Sequence, residues 1–209
     1  PPEDRAAEAS RAVELGYTAH KQKARPYFDV VEQVEAVSSV VPKHFRVELD
    51  FNEMLLNAGS ALPLLKELDT FANVALYESP IPQADVEGNL RLRSQTCTPT
   101  ALHVGVPPLA TAIQHDMCDG FVVGGGVSSV LRQAAILSAF NKQFFLQIVG
   151  TGITASFALH IGAVATHASW PAVSCFNMYS HQLIAAPIQV EGGYSRVPEG
   201  PGLGVELDT

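Results

Sequence analysis

Two hydrophobic periods follow one another along the chain. Residues 45–52 and 74–78 are short runs with the alternation or the apolar character of a strand, whereas residues 28–41 and 128–140 carry apolar positions three and four residues apart. Strands that alternate with helices are typical of βα units and of a parallel sheet. The pattern therefore predicts an α/β protein.

The same pattern predicts seven strands, at residues 17–23, 45–52, 74–78, 100–103, 120–123, 144–149 and 173–178. It predicts six helices, at residues 3–15, 28–41, 54–71, 108–115, 128–140 and 153–166, and an irregular stretch between residues 83 and 99. Seven repeats favour a TIM-type (β/α) barrel over an open sheet, and in either architecture the chemistry belongs at the carboxyl ends of the strands. We expect a barrel domain over residues 1–190 and a closing segment, rich in Gly and Pro, over residues 191–209.

Composition narrows the class of partner. The 209 residues are 47% hydrophobic and carry a net charge of −8, without runs of Lys or Arg, which argues against nucleic acid or an anionic membrane and leaves a small acidic substrate possible. The three cysteines, Cys97, Cys118 and Cys175, are far apart and lack zinc-type spacing. With no membrane-length apolar run and no signal peptide, we expect a cytoplasmic protein with reduced thiols.

Polar side chains end four consecutive predicted strands. They are Lys21 with Lys23, Asp50 with Asn52, Glu78, and His103. The intervals from Asp50 to Glu78 (28 residues) and from Glu78 to His103 (25 residues) are each about one βα unit. Neighbouring parallel strands therefore bring these groups to one rim, where two carboxylates and an imidazole could hold a divalent cation beside the lysines. Taken singly, each residue could equally be a solvated strand end.

These positions also carry a resemblance to a known family. Lys21-Gln22-Lys23 resembles the K-x-K motif of the mandelate racemase/muconate-lactonizing branch of the enolase superfamily, residues 49–52 (LDFN) its D-x-N, and residues 77–80 (YESP) its E-x-P. Residues 152–160 are similar to its G-I-x-x-A-x-x-L-H segment, and residues 197–206 to its P-x-x-P-G-L-G ending. The motifs occur in the family's order and cover nearly the whole chain.

The resemblance implies the C-terminal barrel domain of that superfamily, with its first strand and its capping domain outside these residues. It implies Asp50 and Glu78 as metal ligands, Lys23 as the general base, and Lys21 as a neighbour that lowers the pKa of Lys23 and contacts substrate. The implied reaction is abstraction of the proton α to a carboxylate, as in a dehydratase, racemase or epimerase of a small carboxylate or acid sugar. Mg²⁺, or Mn²⁺ or another divalent ion, would stabilise the enediolate.

Two further assignments accompany the resemblance. We assign Asn52 and Gln147 to substrate binding. We also expect a homo-oligomer, because homo-oligomers are common among such relatives.

The chain departs from the family pattern at three positions. The third metal ligand of the family is Asp or Glu, whereas this chain has His103, which is then a metal ligand, an acid/base group, a substrate contact or a structural residue. Gly124 stands where lactonizing members carry a lysine, and Gln147 with the turn at residues 150–152 stands where racemases carry a histidine. The alternatives are therefore a one-base enzyme, a non-catalytic relative that binds a carboxylate, or an unrelated barrel that holds phosphate on the glycines at residues 124–126.

Overall fold

The computed structural model describes residues 1–208, in which helices and strands alternate and confirm the α/β class. The strands are β1 (Ala19–Lys23), β2 (Arg46–Asp50), β3 (Val74–Glu78), β4 (Thr100–His103), β5 (Gly120–Val123) and β6 (Gln143–Leu146). The helices are α1 (Pro2–Glu14), α2 (Val30–Val40), α3 (Ala58–Leu68), α4 (Val86–Gln95), α5 (Leu109–Gln114), α6 (Val127–Ala139) and α7 (Gly152–Val164). The chain divides into two compact units, Pro1–Gly120 and Phe121–Thr209.

The first unit carries a parallel sheet in the order β1-β2-β3-β4. Its register aligns Lys23 with Asp50, Asp50 with Glu78, and Glu78 with Ala101. His103 lies two residues beyond Ala101 on β4, on the same side of the sheet by strand alternation. The register alone therefore brings Lys23, Asp50 and Glu78 to one level, with His103 two residues further along the same side of the sheet.

Strand β2 divides its side chains between an apolar and a polar face. Val47, Leu49 and Phe51 are fully buried in the apolar core that the sheet shares with its helices. Because successive side chains of a strand point to opposite faces, Glu48 and Asp50 project from the other face. The core thus fixes the orientation of the two carboxyl groups.

Side-chain caps fix the starts of three helices of the first unit. Asp29, Asn57 and Asp85 each accept a hydrogen bond from the backbone N–H three residues ahead, at 2.9, 3.0 and 2.9 Å. Asn57 explains why α3 begins at Ala58, four residues later than predicted. Asp85 begins α4, which lies in the stretch predicted to be irregular, so that prediction was wrong.

The second unit contains β6, α6 and α7, and β5 apart from its first residue, Gly120. The prediction of a seventh strand at residues 173–178 was wrong. Val173 forms one isolated parallel bridge with Gln147, and the chain then turns because Cys175 has a left-handed φ of 54° and starts a 3₁₀ turn over Phe176–Met178.

Residues 1–208 therefore hold six strands, fewer than the eight of a complete (β/α)₈ barrel. The prediction of a barrel is confirmed as a series of six strands alternating with helices, and closure of the barrel is not shown. Over the same residues, no helix is both long and apolar enough to cross a bilayer. The predicted boundary at residue 190 stays a prediction.

Candidate metal and proton-transfer site

The carboxyl ends of β1, β2 and β3 bring together five ionisable side chains, which we call the strand-end cluster. Its members are Lys21, Lys23, Glu48, Asp50 and Glu78. Asp50 and Glu78 are fully buried, and Glu48 is 9% exposed. Burying a carboxylate is costly unless a charge or hydrogen bonds compensate it, so the contacts within the cluster decide how each group behaves.

Lys21 is the centre of the strand-end cluster. Its ammonium group donates a hydrogen bond to Oε2 of Glu78 and lies 3.3 Å from Oδ2 of Asp50 and 3.5 Å from Oε1 of Glu48. One cation thus faces an oxygen atom of each of three carboxyl groups. The Lys21 side chain is only 12% exposed, which makes this a largely buried arrangement.

Lys23 lies at the mouth of the strand-end cluster. Its ammonium group donates hydrogen bonds to Oδ2 of Asp50 and, at 3.1 Å, to Oδ1 of Asn52. Asn52 is in turn fixed by its own backbone N–H, which donates to Oδ1 of Asp50 at 2.9 Å, and by a left-handed φ of 47° that asparagine tolerates. The Lys23 side chain is 47% exposed, so a ligand has access to it.

His103 touches the strand-end cluster from β4. Its Nε2 lies 2.8 Å from Oε1 of Glu78, whereas Lys21 takes the other oxygen, Oε2. The backbone of His103 is held by buried Gln83, whose Oε1 accepts from the His103 N–H at 2.6 Å and whose Nε2 donates to the His103 carbonyl at 3.2 Å. The imidazole, whose side chain is 42% exposed, is therefore positioned by the loop that follows β3.

Burial and neighbouring charges move three pKa values in the cluster. Burial raises the pKa of Glu48 to about 9, helped by its hydrogen bond with Glu78 and opposed by Lys21. Burial also acts to raise the pKa of Glu78, but hydrogen bonds from His103 and Glu48 and the charge of Lys21 hold it well below its usual range. Burial acts to lower the pKa of Lys21, yet Glu78, Glu48 and Asp50 together raise it.

Charge counting explains these directions. The strand-end cluster has three carboxyl groups and two ammonium groups, so one proton kept on Glu48 balances the charges. Lys21 is then an ammonium group at neutral pH, which suits the predicted role of a fixed positive charge beside Lys23. Sequence reasoning missed Glu48, although it lies two residues before Asp50 on the same face of β2.

The donor set of the strand-end cluster partly fits a divalent cation. Asp50 and Glu78 offer buried carboxylate oxygens, the ligands that Mg²⁺ prefers, and the Lys21 ammonium group shows that a cation is favoured between them. Among residues 1–208, however, no three His, Cys, Asp or Glu side chains stand together in the arrangement of a finished metal site. With the Lys21 ammonium group between them, Asp50 and Glu78 are two suitable ligands, and a bound ion would have to displace that ammonium group.

Gln147 and Gly124 lie in the second unit and contact each other. The backbone N–H of Gln147 donates to the Val123 carbonyl at 2.9 Å, and the half-buried Gln147 side chain stays a prediction as a substrate contact. A Cβ atom at Gly124 would lie 2.6 Å from the Gln147 carbonyl oxygen. No side chain fits at Gly124 without backbone movement, so the lysine of lactonizing relatives has no room there.

The fold and the site define the class of this protein: a parallel α/β protein with lysines and buried carboxylates at the carboxyl ends of its strands. Comparison with known proteins identifies the family. A family model described as enolase C-terminal domain-like matches residues 4–209. The chain belongs to this family. The resemblance to the mandelate racemase/muconate-lactonizing type is thereby confirmed.

Proteins of known structure share the fold of this chain. A mandelate racemase/muconate lactonizing family protein from Azoarcus sp. EbN1 is 25% identical, with a TM-score of 0.85 over 99% of this chain and 60% of that one. A dipeptide epimerase from Cytophaga hutchinsonii, solved with Mg and D-Ala-L-Val, is 18% identical, with a TM-score of 0.83 over 99% of this chain and 58% of that one, and shows the shared fold.

Sequence relatives are named as enzymes of several kinds. Muconate cycloisomerase 1-2 from Acinetobacter lwoffii is 27% identical over 88% of this chain and 50% of its own length. D-gluconate dehydratase from Thermoproteus tenax is 26% identical over 73% of this chain and 32% of its own length. This chain thus spans about half or less of these relatives, which are isomerases and dehydratases that differ in reaction.

Proposed function

We propose that the protein is a divalent-metal-dependent enzyme that abstracts the proton α to a carboxylate, of the acid-sugar dehydratase or racemase/epimerase type. The observation that carries this proposal is the contact of the half-exposed Lys23 with Asp50 and Asn52, next to a lysine that bridges Asp50 and Glu78. The names of the relatives support it, since they include a gluconate dehydratase and a dipeptide epimerase.

Asp50 and Glu78 would hold the cation, Mg²⁺ or Mn²⁺, with its other positions left to substrate, water or a further side chain. When bound, the cation would stabilise the negative charge that develops on the substrate carboxylate. Lys21, an ammonium group by its raised pKa, orients the substrate carboxylate and keeps a positive charge near Lys23. Lys23, whose side chain is half exposed at the mouth of the strand-end cluster, would act as the base.

Asn52 and His103 complete the proposed set. Asn52 holds the Lys23 ammonium group at 3.1 Å and can turn its amide toward a substrate hydroxyl. His103 is proposed to exchange a proton with a substrate group, because its ring lies against Glu78 and its side chain is 42% exposed. Gln147 is proposed as a further substrate contact.

Exchange of the α-proton with deuterium tests the proposal directly. The protein is incubated in D₂O with Mg²⁺ and with D-gluconate, D-galactonate or D-Ala-L-Val, and proton NMR follows both deuterium at the α-carbon and conversion of an acid sugar to its dehydrated product. We expect exchange or dehydration with at least one of these compounds, and a loss of about a thousandfold in its rate in Lys23→Met, the size expected when a general base is removed. Lys43→Met, at an exposed lysine outside the cluster, should exchange as the unchanged protein does.

Exchange that survives Lys23→Met at full rate would refute Lys23 as the base. A second candidate function, a relative that binds a carboxylate without turning it over, is favoured by the crowding at Gly124, which excludes a second lysine. Saturable binding of a carboxylate by calorimetry, with neither exchange nor dehydration of any of the compounds, would support this second candidate instead.

A further inference from the structure

The open question in the strand-end cluster is the third metal ligand, because the family position carries His103. Glu78 separates His103 from Lys21, since its Oε1 contacts the imidazole and its Oε2 contacts the ammonium group. The Lys21 ammonium group therefore lies on one side of the Glu78 carboxyl group, and the His103 imidazole lies on the other.

Glu48 lies on the cation's side of Glu78. Oxygen atoms of Glu48, Asp50 and Glu78 all lie within 3.5 Å of one point, the Nζ atom of Lys21. Glu48 and Asp50 also share one face of β2, so the apolar core behind that strand holds both carboxyl groups in this orientation.

One oxygen of Glu48 is left without a hydrogen bond. Glu48 is 9% exposed, and its Oε1 makes an ion-pair contact with Lys21 at 3.5 Å but no hydrogen bond within residues 1–208. Buried polar atoms are nearly always hydrogen-bonded, because an unsatisfied one costs about 1–3 kcal/mol. This oxygen is therefore able to bind a cation that takes the place of the Lys21 ammonium group.

We propose that Glu48, rather than His103, is the third protein ligand of the divalent cation, with the ion taking the place of the Lys21 ammonium group. This inference rests on the proposed function for the presence of a metal and adds which side chains hold it. Once the incoming dication has displaced the proton that Glu48 keeps, three carboxylates form an all-oxygen ligand set, which hard cations such as Mg²⁺ and Mn²⁺ favour over one that contains imidazole. Lys21 can withdraw because its flexible four-carbon side chain carries a compact point charge.

Binding of Mn²⁺ alone, measured from the electron paramagnetic resonance signal of the free ion, tests the assignment without any substrate. We expect Glu48→Gln, which keeps the shape of the side chain, to weaken Mn²⁺ binding at least tenfold. We expect His103→Gln to change it less than threefold, and Glu35→Gln, at an exposed carboxylate on α2, to leave it unchanged. Circular dichroism of each variant without metal confirms that the fold is retained.

A double variant separates a ligand from a residue that only positions Lys21. If Glu48 binds the ion, Glu48→Gln must still weaken Mn²⁺ binding when it is introduced into Lys21→Met. The assignment is overturned if the effect disappears in that background, or if His103→Gln loses as much affinity as Glu48→Gln. Binding by the unchanged protein with no effect of Glu48→Gln refutes this inference alone, whereas no saturable Mn²⁺ binding at all also refutes the metal in the proposed function.

Discussion

Two neighbouring residues of β3, Tyr77 and Glu78, point into two different polar clusters. Glu78 faces the strand-end cluster, whereas the Tyr77 hydroxyl lies 3.0 Å from Oδ1 of Asp69 on the other face of the sheet. Asp69 also accepts hydrogen bonds from the backbone N–H groups of Cys97 and Thr98, at 2.8 and 3.0 Å. We call these four residues the Asp69 cluster.

The two clusters differ in how completely their polar atoms are hydrogen-bonded. The Asp69 cluster contains one carboxylate whose two oxygens both accept from N–H or O–H donors. The strand-end cluster packs three acidic groups around two lysines and leaves one buried oxygen of Glu48 without a hydrogen bond. A satisfied network stabilises the fold, whereas an unsatisfied one costs stability and is retained where a ligand completes it.

The largest change in the free energy of unfolding is expected from Lys21→Met, in the strand-end cluster. Removing the ammonium group leaves Asp50 and Glu78 buried without their main counter-charge, which should lower the free energy of unfolding at pH 7 by about 3 kcal/mol. Mn²⁺ should restore much of this loss and bind more tightly than to the unchanged protein, because its competitor is gone. Urea unfolding with and without Mn²⁺ measures both effects, with Lys43→Met as the control. Equal stability of Lys21→Met and the unchanged protein would show that Lys21 does not compensate the carboxylates.

A smaller effect is expected from Asp69→Ala. This substitution should lower the free energy of unfolding at pH 7 by about 2 kcal/mol, because it leaves backbone N–H donors unpaired. Partial burial acts to raise the pKa of Asp69, but the hydrogen bonds from Cys97, Thr98 and Tyr77 lower this pKa below its ordinary value of 3.8. A lowered pKa means that the stabilisation is present above that ordinary value and is lost as the pH falls through the folded value. The difference between Asp69→Ala and the unchanged protein should therefore shrink in acid below pH 3.8, and a difference that grows there would contradict the assignment.

The smallest effect is expected from Tyr77→Phe, which removes a single hydroxyl and keeps the packed ring. The hydroxyl lies 2.9 Å from the Leu65 carbonyl and 3.0 Å from Asp69, so its loss should cost about 1 kcal/mol in thermal or urea unfolding. Mn²⁺ binding should not change, because the side chain lies on the opposite face of β3 from Glu78. Weaker Mn²⁺ binding in Tyr77→Phe would mean that the two clusters are coupled.

The strand ends could be predicted from the sequence because register follows from spacing. Residues one βα unit apart align in a parallel sheet, which is why Lys23, Asp50 and Glu78 lie at one level. Which lysine contacts which carboxylate depends on side-chain packing and could not be predicted. Glu48 was missed because only the last residues of each strand were considered, although strand alternation places it beside Asp50.

Two elements were misjudged for local reasons. Helix α4 has a weak apolar stripe and contains Gly88 and Asn89 near its start, but Asp85 was a capping signal that could have revealed it. A Cβ atom at Gly88 would lie 2.2 Å from Oδ2 of Asp85, so the glycine there serves the cap rather than breaking the helix. The apolar run after Val173 suggested a strand, and only the left-handed backbone of Cys175 ends it.

The crowding at Gly124 has a stereochemical consequence. Where lactonizing members carry a second lysine, this chain has no space for a side chain, so under the proposed function that position supplies no second base and Lys23 itself can return the proton that it takes. A lone base delivers its proton to the same side of a planar intermediate from which it removed one. Deuterium that enters with the original configuration kept would favour the dehydratase over the racemase/epimerase type within the proposed function, whereas loss of configuration would require a second proton donor.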